Sequence, residues 1–261
     1  MSGLTMHARA LRLISASVIV IAAVAAAMSW APASAQDEKS STDEQALTIL
    51  KGMSDYLGGS ETISFRAKAF FDVVLESGIK IKTGRASRVL LKRPKELYIE
   101  AEGDDGRATT TWFDGSKVTL WRRDANQVMS LDLEGASDAM LDHFIEEYDD
   151  QIPVADLFYS NVNKTLCEDI VSAEYVGLRV VDGVPCHQLS FESPGADWQS
   201  WIEADSTPLP RRFVIDFVAD DNKPQFMAQM DAWSIGRDIE DFNFVAAVPE
   251  GVEKVEFSLK R

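Results

Sequence analysis

Residues 86–133 read ASRVLLKRPKELYIEAEGDDGRATTTWFDGSKVTLWRRDANQVMSLDL, and this stretch decides the fold. It divides into short segments rich in β-branched and aromatic residues, with turn residues between them. This pattern is typical of antiparallel strands joined by hairpins. Glycine in Asp105-Gly106 and Asp114-Gly115 accepts the positive φ of a tight turn. The predicted strands cover residues 86–92, 95–101, 107–113, 117–121 and 127–133.

Side chains alternate between the two faces of a strand, so one surface of this meander is expected to be apolar. The residues predicted to line that surface of a curved sheet are Leu97, Ile99, Trp112, Val118 and Leu120.

A helix is predicted before the meander, over residues 42–57, because apolar residues recur there at helical spacing. Thr42 and Gln45 have the spacing of a capping box. Further strands are predicted on both sides of the meander, and their hairpin signals favour antiparallel pairing throughout. These strands cover residues 62–75, 80–92, 172–181, 184–192, 197–204, 209–219, 225–235, 242–245 and 255–259.

Residues 136–167 interrupt the β pattern and are predicted to form a helical insert. Its apolar positions follow a helical period, so the insert has one apolar face, which must cover another part of the fold. The residues on that face are Met140, Leu141, Phe144, Ile145 and Tyr148, followed by Val154, Leu157 and Phe158.

The first 35 residues are predicted to be a cleaved secretory signal. Arg9 and Arg12 precede an apolar run over residues 13–28, and Ala33-Ser34-Ala35 fits a signal-peptidase site. A transmembrane anchor is the alternative, but the run is short for one. The sequence therefore predicts an exported protein with one domain over residues 36–261 and no transmembrane segment after cleavage.

The chain is strongly acidic, with 42 Asp and Glu against 26 Lys and Arg and a formal net charge of −16. Cleavage of the signal leaves 24 basic residues against the same 42 acidic ones, a net charge of −18. Such a protein repels nucleic-acid phosphates and anionic lipid headgroups. Nucleic-acid binding is therefore not expected, and membrane contact is expected to be apolar or mediated by a protein partner.

Cys167 and Cys186 are the two cysteines of the chain and lie 19 positions apart. In an exported protein this pair favours a disulfide, worth about 3 kcal/mol by the loop-entropy model. Two free thiols, or a metal site that includes His187, are the alternatives. A metal site is not expected, because the ligands are too few.

Catalytic motifs do not stand out in the sequence, so no cofactor and no enzymatic activity are predicted. A hydrolase that uses His187 is an alternative, but the chain contains no G-x-S-x-G elbow. Asp104-Asp105, Asp149-Asp150 and Asp220-Asp221 lack the alternating oxygen ligands of a calcium loop, which favours solvated turns.

Several motifs resemble the periplasmic lipoprotein carriers of the Lol system. They are Lys92-Arg93-Pro94, the Asp114-Gly115 hairpin, Phe242-Asn243-Phe244 and Pro249-Glu250-Gly251-Val252. The chain more closely resembles a family of predicted periplasmic proteins, domain of unknown function 2092. The residues that carry this resemblance are Arg93-Pro94, Met140-Leu141-Asp142-His143, Leu157, Cys186-His187, Asp197-Trp198-Gln199, Trp201, Pro210-Arg211 and Pro224-Gln225-Phe226.

The resemblance implies a mainly β (α+β) fold. It consists of one curved antiparallel sheet that forms an incomplete barrel, with an N-terminal helix and a helical lid over an apolar concavity. Arg93 matches the arginine that latches the lid in the carriers; a surface arginine is the alternative. Phe144 and Phe158 then join the five meander residues as candidate ligand-cavity residues, although ordinary packing of the insert on the sheet predicts the same pattern.

The function implied is that of a non-catalytic periplasmic binding protein. Its expected ligand is hydrophobic: a lipid, an acyl chain or a lipidated protein held under the lid. A regulatory or envelope-stress module of similar fold, which binds an envelope protein partner, is the alternative.

Overall fold

The computed structural model describes residues 43–148 and 155–257, and for residues 145–148 it describes the backbone alone. The helices are α1 (Glu44–Gly58), α2 (Ser137–Tyr148) and α3 (Val162–Cys167), with 3-10 turns at Ala155–Leu157 and Asp241–Phe244. The strands are β1 (Thr62–Val74), β2 (Lys80–Lys92), β3 (Glu96–Gly103), β4 (Ala108–Phe113), β5 (Lys117–Arg122), β6 (Gln127–Asp132), β7 (Ser172–Val181), β8 (Val184–Ser193), β9 (Ala196–Glu203), β10 (Pro210–Asp216), β11 (Gln225–Ile235) and β12 (Glu253–Lys254).

All twelve described strands belong to one sheet, in the order β12-β6-β5-β4-β3-β2-β1-β11-β10-β9-β8-β7. Within the described ranges no pairing joins β7 to β12, so the sheet is not closed into a barrel. The mainly β, unclosed architecture predicted from the sequence is confirmed. Pairing is antiparallel except between β12 and β6, which are parallel, so the expectation of antiparallel pairing throughout is wrong for this pair.

The apolar face of α1 packs into the main core, as its periodicity predicts. Ala46, Leu50, Met53 and Leu57 are fully buried. Asp43 caps the helix, because its carboxylate accepts a 2.7 Å hydrogen bond from the backbone N–H of Gln45. The predicted partner Thr42 lies outside the described residues.

The region 136–167 contains α2, the turn Ala155–Leu157 and α3. Met140, Leu141, Leu157 and Phe158 are buried in the same core cluster as α1. We call the sheet face that meets this cluster the inner face, and the opposite one the outer face. The predicted side-chain positions of Ile145, Tyr148 and Val154 lie outside the described part of the chain.

The C-terminal segment differs from the prediction. Residues 242–245, expected to be a strand, belong mostly to the 3-10 turn Asp241–Phe244, whose Phe244 is buried. A single buried phenylalanine anchors this segment without a strand partner. The final strand is the two-residue β12, somewhat earlier than predicted.

Candidate functional site

The strand register places most of the predicted cavity residues on the inner face. Leu97 pairs with Leu91 on one side and with Phe113 on the other, and Phe113 pairs with Val118. One row further along the strands, Ile99 and Leu120 also share this face, through Thr111.

Trp112 does not lie on this face, which corrects the sequence prediction. It pairs with Tyr98 and Thr119, and its ring meets the Tyr98 ring edge-on at 6.0 Å on the outer face. The predicted alternation of side chains along β4 is off by one residue. A shift of one residue moves every side chain of a strand to the other face of the sheet. Phe113, fully buried, takes the place predicted for Trp112.

The insert covers this apolar part of the inner face. Phe158 approaches Phe65 of β1, with ring centroids 5.9 Å apart. Phe144 of α2 packs edge-on against Phe257 from the C-terminal segment, at 5.4 Å. Sequence reasoning missed Phe257, although an isolated aromatic residue in a polar tail is a usable signal of burial.

A cavity of about 610 Å³ lies along the inner face and extends from beneath the insert to the opposite end of the same strands. Leu97, Ile99, Val118, Leu120, Phe144 and Phe158 line it, together with Met140 and Phe257. Its volume falls within the roughly 300–1,000 Å³ that is usual for small-molecule pockets.

The space exists because one row of the sheet carries small side chains. Ala67, Ser87, Ala101 and Thr109 are paired in register across β1 to β4, and all four line the cavity. Protein interiors normally pack at crystal-like density. Side chains this small cannot fill the space between the larger residues on either side, so they leave a trough.

The far end of the cavity is polar. Its lining there includes the guanidinium side chains of Arg85, Arg107 and Arg122 and the carboxylates of Asp105 and Asp124. The cavity is therefore amphipathic, apolar beneath the insert and charged at the opposite end of the same strands.

Arg93 occupies the junction between β2, α1 and the insert. Its Nη1 donates to the carbonyl oxygens of Leu57 and Ser60, at 3.2 and 3.0 Å. Its Nη2 donates to those of Phe158 and Tyr159, at 3.3 and 2.8 Å. One planar fork thus joins the C-terminal end of α1 to the segment that covers the cavity.

Burial lowers the pKa of Arg93, and the nearby carboxylate of Asp138 acts in the opposite direction. The guanidinium remains charged at neutral pH. Asp138 adds a second tie, because its carboxylate accepts hydrogen bonds from the N–H and hydroxyl groups of Ser160 at 3.0 and 2.6 Å. The N–H of Ser137, at the start of α2, donates to the Pro94 carbonyl at 2.8 Å.

The predicted disulfide is absent: Cys167 and Cys186 are both free. Cys167 lies on α3 near Asp55 and Lys51, and burial raises the pKa of its thiol to about 11. Cys186 pairs with Glu203, while the next residue on the strand, His187, pairs with the core residue Ile202. Alternation therefore places Cys186 on the outer face, away from α3.

No group of three or more metal-ligating side chains occurs within residues 43–148 and 155–257. His187, on which the hydrolase alternative depends, is hydrogen-bonded through Nδ1 to the Tyr175 hydroxyl at 3.1 Å. None of the helices in the described ranges is long and apolar enough to cross a bilayer.

The family model described as predicted periplasmic protein (DUF2092) matches residues 46–258. The chain belongs to this family. Membership confirms the family resemblance drawn from the sequence motifs and the predicted periplasmic localisation. The signal sequence predicted to direct export lies outside the described residues.

Solved structures similar to the chain include the Mycobacterium tuberculosis lipoprotein LppX, with 14% identity over 80% of this chain and 100% of that chain and a TM-score of 0.46. LprF from Mycobacterium bovis has 13% identity over 81% of this chain and 99% of that chain, with a TM-score of 0.45. A LolA superfamily protein from Nitrosomonas europaea has 11% identity over 77% and 97%, with a TM-score of 0.42. No curated protein sequence matches the chain significantly.

Proposed function

We propose that this protein is a non-catalytic periplasmic binding protein that holds an acyl chain, from a lipid or a lipidated protein, in the cavity under the insert. The observation that carries the proposal is the cavity of about 610 Å³ along the inner face, whose apolar part lies beneath the helical insert. Ordinary packing of the insert would have filled the part of this space that lies beneath it.

The lining matches the chemistry of an acyl chain. Aliphatic and aromatic side chains from the sheet meet Phe144 and Phe158 from the insert around the apolar part of the cavity. Removal of apolar surface from water favours binding by about 25 cal/mol per Å². A chain lying over the small row formed by Ala67, Ser87 and Ala101 would be buried on several sides.

Arg93 is proposed as the latch of the cover. Its four hydrogen bonds hold Phe158 and Tyr159 against the end of α1, beside the apolar part of the cavity. Release of these bonds would free the segment that closes the cavity, and their retention would keep a loaded ligand away from water.

The direct test is uptake of a fluorescent acyl probe by wild-type protein and by Ala101→Phe. Ala101 is buried and lines the cavity, so a phenyl ring there fills the trough. We expect binding of the probe to weaken at least about tenfold, equivalent to roughly 1.4 kcal/mol.

Ala86→Phe is the matched control, because Ala86 is exposed on the outer face of the neighbouring strand β2. Its affinity for the probe should equal that of wild type. Equal binding by Ala101→Phe and wild type would contradict the proposal. So would a wild-type protein that takes up no probe and yields no lipid on extraction with organic solvent.

The regulatory module with a protein partner and the hydrolase that uses His187 stay predictions from the sequence. The cavity favours neither of them over a ligand-binding role.

A further inference from the structure

The cavity-facing side chains change character steadily along β2. From the covered end they are Leu91, Val89, Ser87, Arg85 and Thr83, which pair with inner-face residues of β1. Four of the five line the cavity, the exception being Leu91, which lies in the core. The inner-face side chains of β2 are thus apolar at Leu91 and Val89, small at Ser87 and cationic at Arg85.

Arg85 and Arg122 converge at the polar end. Arg85 donates from Nη2 to the hydroxyl oxygen of Thr109 at 3.1 Å. Arg122 is the direct cross-strand partner of Thr109, and its side chain donates to the Gln127 amide oxygen. Two guanidinium groups therefore flank one threonine on the inner face.

Neither of these arginines forms an ion pair with a carboxylate in the described part of the chain. Arg107, beside them, does: its guanidinium is 2.5 Å from the carboxylate of Asp105. Asp124 also lines this end, and it accepts the N–H of Ala108 at 3.0 Å. In a protein with 42 acidic and 26 basic residues, two arginines without carboxylate partners in one cavity are free to bind an anion from outside the chain.

We propose that Arg85 and Arg122 bind the anionic headgroup, phosphate or carboxylate, of a lipid whose acyl chain fills the covered part of the cavity. This inference rests on the proposed function and adds the ligand's charge and orientation. The headgroup lies at the Thr109 end and the chain end points toward Phe144 and Phe158.

The arginine guanidinium groups and an anionic headgroup are chemically complementary. Guanidinium groups donate paired hydrogen bonds to phosphate and carboxylate oxygens, and such charge-assisted bonds are about twice as strong as neutral ones. The net negative charge of the protein repels anionic lipids at its surface in general. At this end of the cavity three arginines meet two carboxylates, Asp105 and Asp124, so positive charge is in local excess and favours an anionic headgroup there.

The test compares two fluorescent probes with the same acyl chain, a fatty acid and its methyl ester, on wild-type protein and on R85Q/R122Q. We expect the double variant, which removes both guanidinium groups, to bind the fatty acid at least about tenfold more weakly, a change of roughly 1.4 kcal/mol. Binding of the uncharged ester should stay within about twofold, because the apolar part of the cavity is intact. R88Q is the control, since Arg88 is exposed on the outer face of the same strand.

The outcomes separate this inference from the proposed function. If wild type binds both probes and R85Q/R122Q weakens both equally or neither, the headgroup assignment is wrong and the acyl cavity stands. If wild type binds neither probe, the acyl cavity is wrong and the headgroup assignment fails with it. Inorganic phosphate should not displace the fatty acid at equal concentration, and displacement would show a site for a free anion instead of a lipid.

Discussion

Arginines at the two ends of the inner face are used in opposite ways. Arg93, at the covered end, donates four hydrogen bonds to backbone carbonyls of α1 and the insert. Arg85 lies on β2, the strand that Arg93 directly follows, and it donates to the Thr109 hydroxyl and to no other group in the described ranges. The guanidinium of Arg93 therefore bonds to the protein itself, whereas most N–H donors of Arg85 have no protein acceptor in that part of the chain.

The difference shows that the role of an arginine depends on what its guanidinium group contacts. A buried guanidinium bonded to several carbonyls holds backbone segments together, and removing it leaves acceptors unpaired. A guanidinium in a cavity with spare donors contributes little to folding and is suited to an external anion. Substitutions at the two ends should therefore separate stability from binding.

Arg93→Ala should have the largest effect, a loss of about 3 kcal/mol in the free energy of unfolding. Four buried or half-buried carbonyls lose a charged donor at once, and each unpaired acceptor costs about 1–3 kcal/mol unless water replaces the donor. Urea unfolding followed by tryptophan fluorescence measures the change.

Arg66→Ala is the control for Arg93→Ala. Arg66 forms an ion pair with Asp231, and the two side chains are 66% and 50% exposed. Exposed pairs contribute about 0–1 kcal/mol. Equal destabilisation by the two variants would contradict the role of Arg93 as a latch.

Asp72→Asn tests what stabilises the end of the sheet away from the insert, which we call the uncovered end. We expect the free energy of unfolding to fall by about 1–2 kcal/mol at neutral pH. Asp72 is buried on the outer face of β1. Its carboxylate lies 3.0 Å from Lys82 Nζ and 3.7 Å from Lys80 Nζ, and it accepts the Gln225 N–H at 2.9 Å. Asp231→Asn, at an exposed ion pair on β11, is the matched control.

The effect of Asp72 depends on pH. Burial by itself raises the pKa of this carboxyl, but the hydrogen bonds from Lys82 and Gln225 and the charges of both lysines outweigh it. The pKa therefore lies below its ordinary value of 3.8. A group with a lowered pKa stabilises the folded state above the unfolded pKa and loses that contribution as pH falls through the folded one. The destabilisation by Asp72→Asn should be full at pH 6 and smaller at pH 3, and a constant difference would contradict this account.

Asp138→Ala should cost about 1 kcal/mol and weaken the covered end while it leaves the four hydrogen bonds of Arg93 in place. Asp138 accepts two hydrogen bonds from Ser160 and lies in the first turn of α2, where a negative charge is favourable. Asp132→Ala is the control, because its side chain is 85% exposed in an ion pair with Lys117. Thermal unfolding should separate the two variants. Equal midpoint temperatures would contradict a stabilising role for the contact between Asp138 and Ser160.

Sequence periodicity predicted the β strands and the insert because hairpin turns and apolar spacing are local signals. The meander from residue 86 to residue 133 became β2 to β6 with boundaries shifted by at most a few residues. Most of the strand residues predicted to form an apolar surface lie together on the inner face for the same reason. Trp112 failed because strand phase depends on the pairing partner, which one strand's sequence does not contain.

Features that depend on distant contacts were not predictable from local pattern. Cys167 and Cys186 are close in sequence, but α3 and β8 place their side chains on different sides of the sheet. Phe257 reaches the cavity from the end of the chain. The pairing of Arg85 with Thr109 depends on the small residues of β3 that lie between them, Ala101 and Gly103.

R85Q/R122Q should have the smallest effect on folding, a change of no more than about 0.5 kcal/mol in the free energy of unfolding, although it should reduce binding of an anionic acyl probe. Arg122 is exposed and Arg85 half-buried, and their recorded contacts are with neutral groups that water can replace. Urea unfolding without ligand measures the effect. A loss as large as that from Arg93→Ala would show that both ends use arginine to hold the fold, and the contrast between them would disappear. Unchanged stability with weakened binding would instead assign the covered end to closure of the cavity and the uncovered end to recognition of the ligand's charge.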